Sequence, residues 1–211
     1  MSDRHESSRP PRVLLVIGHG RESSFCHHLL ELVRGQLLEA GVAHRTHDLL
    51  ADGFDPVLRL AEGQLHAGRV DSRQDPLTAA YQDDVCWADA YVIVHPVWWF
   101  APPAILKGWV DRVLVDGVAL RQSDSGGPPE GILNGRRGLV IQTFNADRVV
   151  DKVVFGSMSK RFWRKSVFLP VGIKKVSHFP VYSVCALEAS HLQRIDARLR
   201  RTVAALLASL K

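Results

Sequence analysis

The run Val13 to Ile17, VLLVI, narrows what this chain can fold into more than any other feature. A strand that alternates polar and apolar residues covers one face of a sheet, whereas one that is apolar throughout needs cover on both, as in a parallel sheet between two helical layers. Gly18-His19-Gly20 breaks the run. Ser23 then offers a cap for a helix whose apolar residues Phe25, Leu29, Leu32, Val33, Leu37 and Ala40 recur at three- and four-residue spacing up to Gly41.

The same strand and helix alternation continues. Val42 to His47 reads as a second strand ending at Asp48, followed by an irregular stretch through Pro56 and Gly68. Asp75-Pro76 supplies a cap and a first-turn proline for a helix through Leu77, Tyr81 and Val85 to Trp87. Ala90 to His95 is the third strand, ended by Pro96, and a helix resumes at Pro103 with Ile105, Leu106, Trp109, Val110, Val113 and Leu114 on one broad face. Asp116 to Arg137 is rich in Gly, Pro and Ser and reads as a long surface loop. Leu139 to Thr143 is the fourth strand, Val149 to Trp163 contains a helix, and Ile173 to Val184 holds a fifth strand interrupted or ended near Pro180. Leu192 to Leu210 is the last amphipathic helix. Five strands alternating with helices predict an α/β domain over residues 12–211, an open parallel sheet with right-handed crossovers and helices on both faces, behind a disordered tail at residues 1–11.

Length and composition agree with one domain. A chain of 211 residues is cramped for two domains, and 46% hydrophobic with 23% charged residues supplies a core and excludes a disordered chain. Cys26, Cys86 and Cys185 are odd in number and lack CxxC spacing, so neither a disulfide framework nor a metal site is expected. The polar N-terminus leads directly into a short strand, which predicts a cytoplasmic protein without membrane insertion.

Ligands of open α/β sheets sit beyond the carboxyl ends of the strands where the strand order reverses, between the first and third strands for an order of 2-1-3-4-5. Both of those ends are unusual here. GHGRESSF, Gly18 to Phe25, is a turn into a helix N-terminus with free amides and hydroxyls, which suits a phosphate. It is not a Walker loop and lacks the third small residue of a dinucleotide fingerprint, although Asp48 could meet a ribose, so a nicotinamide-binding Rossmann domain stays as a competitor. A tight turn with a serine cap accounts for these residues equally well. After the third strand, Trp98-Trp99-Phe100 puts three aromatics on a loop, where a flat ring, the core or a dimer interface must receive them.

The stretch HPVWWFAPPAILKGWVDRVL, His95 to Leu114, resembles the loop and helix of the NAD(P)H quinone oxidoreductase family of flavodoxin-like flavoproteins, and GHGRESSF is similar to that family's phosphate turn. The resemblance implies a flavodoxin-like fold with strand order 2-1-3-4-5, a bound FAD or FMN with a lean to FAD, and NAD(P)H as hydride donor. It further implies hydride transfer through flavin N5 to a quinone-like acceptor, in a homodimer with the active site at the subunit interface. By position it places His19, Ser23, Ser24, Phe25 and Cys26 at the flavin phosphates and ribityl chain. Pro96, Val97, Trp98, Trp99 and Phe100 fall on the isoalloxazine loop, with Gln142, Thr143, Phe144 and Asn145 on the loop after the fourth strand.

The chain departs from that pattern in places. Phe144-Asn145 stands where the family has two glycines, Val149, Val150, Phe155 and Gly156 offer no Tyr and His pair on the acceptor side, and Cys26 replaces an Asn. An alternative from another class is a flavin-binding regulatory subunit that senses redox state for a partner such as an ion-transport system.

Lys plus Arg exceed Asp plus Glu by 27 − 22 = +5, and the segment Lys152 to Leu187 holds Lys152, Lys160, Arg161, Arg164, Lys165, Lys174 and Lys175 without a single acid. A solvated face accounts for this better than an anion-steering patch for NAD(P)H phosphates, and no nucleic-acid-binding signature accompanies it. His27 and His28 are adjacent on a helix and cannot face one metal. Gly-x-Ser-x-Gly is absent, which argues against an α/β-hydrolase. Cys86 and Cys185 read as small core residues, and His178 as a satisfied structural histidine.

Overall fold

The computed structural model describes residues 9–21, 23–58, 75–123 and 126–210. The expectations for residues 1–8 of the tail and 59–68 of the irregular stretch lie outside the described residues. Five strands form one sheet: β1 Arg12–Ile17, β2 Ala43–Asp48, β3 Ala90–Pro96, β6 Arg137–Thr143 and β7 Lys175–Val181. They are all parallel and ordered β2-β1-β3-β6-β7, the expected 2-1-3-4-5. The order reverses between β1 and β3, whose register Val13 opposite Ala90 to Ile17 opposite Val94 brings the two strand ends side by side.

The period of two in β1 and β3 divides the core into two layers. Val13, Leu15 and Ile17 join Val92 and Val94 under α1 (Phe25–Glu39) and α5 (Ala189–Ala208), where Leu29, Val33, Leu199 and Val203 are fully buried. Leu14, Val16 and Ile93 join the opposite layer with Val85 of α2 (Pro76–Trp87) and with Leu106 and Trp109 of α3 (Ala104–Val113). Both faces are covered, as the unbroken apolar runs require.

Local signals set the helix ends. Asp75 caps α2 by accepting from the Leu77 and Thr78 amides, with Pro76 in the first turn. Gly41, at φ 63°, closes α1 with its amide on the Leu38 carbonyl and that of Val42 on the Leu37 carbonyl. The cap of α1 is Ser24, one residue later than Ser23, because Ser24 is the residue with extended backbone whose Oγ accepts from the His27 amide.

Several elements differ from the sequence expectation. The Asp116 to Arg137 loop contains an antiparallel pair, β4 Leu120–Arg121 with β5 Glu130–Gly131, too short to leave a periodic signal. The helix expected within Val149 to Trp163 is broken into a π-turn at Val150–Val154, a single turn α4 at Met158–Arg161 and a second π-turn at Phe162–Phe168. Gly156 and Ser157, at φ 56° and 53°, interrupt it. The buried Asp151 stabilises the break by accepting from the Tyr182 hydroxyl at 2.9 Å. β7, by contrast, ends at Val181, one residue beyond Pro180 and near where the proline was expected to end it, and as an edge strand it can do without the proline's amide donor. Cys86 and Cys185 are exposed rather than core residues, on the outer side of α2 and in a short turn after β7.

His178 of β7 is not satisfied. Neither ring nitrogen has a hydrogen-bond partner among the described residues, and burial beside the Lys160 and Arg164 charges pushes its pKa down to about 4. All seven basic residues between Lys152 and Lys175 are exposed, as a solvated face requires. No helix among the described residues is long and apolar enough to cross a membrane.

Candidate functional site

The site is built at the carboxyl ends of β1, β3 and β6. At the end of β1 the Gly18 amide donates to the Val94 carbonyl at 3.1 Å, stitching the phosphate turn to β3. Glycine is needed there, because a Cβ would stand 2.8 Å from the Leu106 Cβ of α3. His19 folds over the turn, its Nδ1 accepting from the Arg21 amide at 3.0 Å. In α1 the Ser24 hydroxyl and carbonyl take the amides of His27 and His28, which leaves the first-turn amides of Phe25 and Cys26 for an anion.

Two histidines enrich that cradle. Ser24 Oγ lies 2.8 Å from His27 Nδ1, and His27 Nε2 lies 3.3 Å from Asp48 Oδ2, a relay from the helix cap to the end of β2. Asp48, weighed as a ribose ligand, is thus occupied by His27 and by the Ala51 amide. The His19 ring sits 6.0 Å from that of His27, and burial, then the His27 and Arg21 charges, lower its pKa. Burial therefore favours the neutral form of the His19 imidazole.

The loop after β3 folds as a two-residue turn. Trp98 and Ala101 exchange amide-to-carbonyl bonds of 3.1 and 3.0 Å across Trp99 and Phe100, whose φ values of 49° and 57° lie in the left-handed region. Non-glycine residues pay about 1–2 kcal/mol each for that conformation. Phe100 recovers part of it by stacking on Phe155 at 3.5 Å, while Trp99 is 97% exposed. Trp98 instead leans over the cradle, 6.1 Å from the His19 ring.

His95, fully buried, anchors this loop. Its Nδ1 must donate to the Pro96 carbonyl at 2.7 Å, since a carbonyl only accepts, so its bare Nε2 accepts from Trp163 Nε1 at 2.8 Å and from the Gln142 amide at 3.3 Å. Gln142 also donates to Ser159 Oγ at 2.6 Å. Burial pushes the His95 pKa down from 6.5 to about 4. The folded chain holds this ring neutral while the unfolded chain takes up its proton, so stability is complete above pH 6.5 and falls as the pH drops towards 4. His95 alone is expected to cost the fold on the order of 3 kcal/mol by about pH 4. Urea midpoints measured from neutral pH downwards should fall accordingly, and a flat profile would contradict the neutral assignment.

Around the switch point these elements enclose a cavity of about 470 Å³, within the range of small-molecule sites. Of the residues expected at the site, His19, Ser24, Phe25, Cys26, Pro96 and Val97 line it, as do Trp98, Thr143 and Asn145. Outside its wall lie Ser23 on the surface, Trp99 in solvent, Phe100 on Phe155, Gln142 in the His95 network and Phe144 buried 4.8 Å from the Tyr182 ring. Cys26 bridges two walls, Sγ to Thr143 Oγ1 at 3.3 Å, and burial keeps it a neutral thiol by raising its pKa to about 11.

Gly20, Arg21, Val184 and Cys185 complete the lining. The first two belong to the phosphate turn. Val184 and Cys185 arrive through Ser183 at φ 53°, with the Val184 amide on the Phe144 carbonyl and Cys185 Sγ 3.2 Å from Asn145 Oδ1, a turn without a sequence signature. None of the seven lysines and arginines between residues 152 and 175 lines the cavity.

The donor set fits a phosphorylated flavin. Helix amides, the Ser24 hydroxyl, the His19 imidazole and Arg21 line the phosphate end, while Pro96, Val97 and Trp98 form a flat apolar wall at the other. A Cβ on Gly20 would lie 3.2 Å from Trp98 Cη2, so glycine keeps the mouth between the two ends open.

The sequence profile of the flavodoxin-like fold family matches residues 11–206. The Uncharacterized NAD(P)H oxidoreductase YcaK of Escherichia coli is 31% identical over 108 residues, 51% of this chain and 55% of that protein. The FMN-dependent NADH:quinone oxidoreductase of Azotobacter vinelandii is 32% identical over 111 residues, 53% of this chain and 51% of its own. The chain thus spans about half the length of these curated relatives. Among solved structures, Smu.1420 from Streptococcus mutans superposes with a TM-score of 0.77 at 28% identity, covering 91% of this chain and 98% of that one.

Proposed function

The chain belongs to the flavodoxin-like fold family, and from that premise we propose that it is a flavin-dependent NAD(P)H oxidoreductase acting on a quinone-like acceptor. The observation that carries this reading is the cavity at the β1/β3 switch point, with a phosphate cradle at one end and the Pro96 to Trp98 wall at the other. The relatives bearing quinone reductase and NAD(P)H oxidoreductase names support it.

FMN is the flavin we assign. A relative described as FMN-dependent supports it, and nothing supports the lean to FAD. When bound, the flavin supplies the two-electron chemistry between nicotinamide and acceptor. The chain's own residues do the binding and the orienting. The α1 amides, Ser24 and His19 would hold the phosphate, with His27 positioned behind Ser24 and Asp48 behind His27. Trp98, held by its hydrogen bonds with Ala101, would supply an apolar surface for the flavin ring and exclude water. Cys26, Thr143 and Asn145 face the cavity as neutral polar groups.

No residue pair supplies an acceptor-side Tyr and His from Val149 to Gly156, so we place the acceptor site at a subunit interface in a homodimer. Exposed Trp99, Val153, Val154 and Met158, beside Phe155, form an apolar surface next to the cavity loops and support that assembly. Three unpaired cysteines support a reducing cytoplasm. No observation favours the regulatory-subunit reading. Turnover by the isolated protein separates the two: steady NADH oxidation with a soluble quinone supports the enzyme, and tight flavin binding with no turnover would support the regulator.

A further inference from the structure

A second concavity, larger than the flavin cavity at about 550 Å³, runs between the carboxyl end of β7 and the outer face of α5. Its basic side chains share one helical stripe: Arg194, Arg198 and Arg201, with His191 one turn before them, follow each other at three- and four-residue steps. Apolar Val181, Leu187 and Ile195 form the floor, Tyr182 stands at one end, and no Asp or Glu lines it.

The cations of α5 are not all left in this state. Arg200, on another face, reaches Glu39 of α1 at 3.9 Å, and Asp196 is taken by His28 at 3.1 Å. Within the groove the partners are uncharged. Arg198 donates to the Pro180 carbonyl at 2.7 Å with its guanidinium 4.3 Å over the Phe179 ring. Arg194 donates to the Ser190 carbonyl at 3.3 Å. Of the carboxylates near the groove, Glu188 caps α5 by accepting from the His191 backbone amide, and Asp151 is buried beneath Tyr182 and accepts from its hydroxyl. Desolvation lowers the Arg198 pKa with no carboxylate to offset it. A pre-positioned guanidinium beside two more arginines and an apolar floor is the complement of an oxyanion on a flat apolar body.

We propose that this groove binds a small organic anion, a carboxylate, sulfonate or phosphate ester carried on an aromatic or similarly flat apolar group. A concave shape of this volume suits a small molecule and not a lipid surface, which needs a protruding basic face. The site is separate from the flavin cavity, although the two share a wall: Val181, Tyr182 and Leu187 face the groove, while Val184 and Cys185 between them face the cavity. The proposal does not rest on the flavin reading.

Fluorescence titration of the full chain with anilinonaphthalene sulfonate, and with neutral phenylnaphthylamine of the same body, tests it at fixed ionic strength. The double variant Arg194→Ala/Arg201→Ala alters two exposed side chains and should weaken the sulfonate by about ten-fold or more while moving the neutral dye less than about two-fold. Ala197→Glu places a carboxylate in the groove at an exposed helical position and should have at least as large an effect. Unchanged sulfonate affinity in either folded variant overturns the proposal, as does equal weakening of both dyes.

Discussion

Ser24→Asp is expected to keep the fold as stable as the wild type while weakening FMN binding by roughly 100-fold. Ser24 is the cap of α1 and lines the flavin cavity, so it serves the fold and the ligand at once. Asp caps helices as well as Ser does, and its charge is welcome at a helix N-terminus. The same charge sits where the proposed flavin phosphate would lie. Two unit charges about 4 Å apart repel by about 4 kcal/mol at the effective dielectric of a protein surface, and the dipole of the α1 N-terminus offsets part of that. A net loss of about 2–3 kcal/mol corresponds to the stated affinity change. Quenching of flavin fluorescence on binding measures the affinity and thermal unfolding without flavin measures the fold. An unchanged affinity would remove the phosphate from the α1 N-terminus.

Trp163→Ala is expected to be the most damaging single truncation, at roughly 3–5 kcal/mol. The ring is fully buried against Phe162 and Phe168, and its Nε1 is the donor that fixes the His95 tautomer. Truncation opens a cavity and leaves a buried acceptor short of its partner. Trp163→Phe keeps most of the volume and loses only the donor, so it should cost about 1–3 kcal/mol. Because His95 ties β3 to the Pro96 loop, both variants should also loosen flavin binding. Urea unfolding gives the stability cost, and a loss below about 1 kcal/mol for the alanine variant would show that this layer is not closely packed.

Much of this architecture is legible in the sequence because its signals are local. VLLVI and AYVIVH require cover on two faces, Asp75-Pro76 and Gly41 mark helix ends, and the turn GHGRESSF identifies the cradle. What is not legible depends on long-range partners. The break at Gly156-Ser157 is held by Asp151 and Tyr182, 31 residues apart. Val184 and Cys185 reach the cavity only because Ser183 turns left-handed, and Gln142, adjacent to the cavity residue Thr143, faces away because β-strand neighbours point to opposite sides. Trp98, Trp99 and Phe100 are alike in composition but separate in space: the turn sends one over the cradle, one into solvent and one onto Phe155.

On the proposed function, the switch-point cavity holds a flavin that passes electrons from NAD(P)H to a quinone. Anaerobic titration of the FMN-loaded protein with NADH, monitored by the visible flavin absorbance, tests it most directly. Bleaching is expected at one NADH per flavin, followed by full recovery on addition of one equivalent of benzoquinone. Failure to retain FMN, or bound FMN that NADH does not bleach, would contradict it.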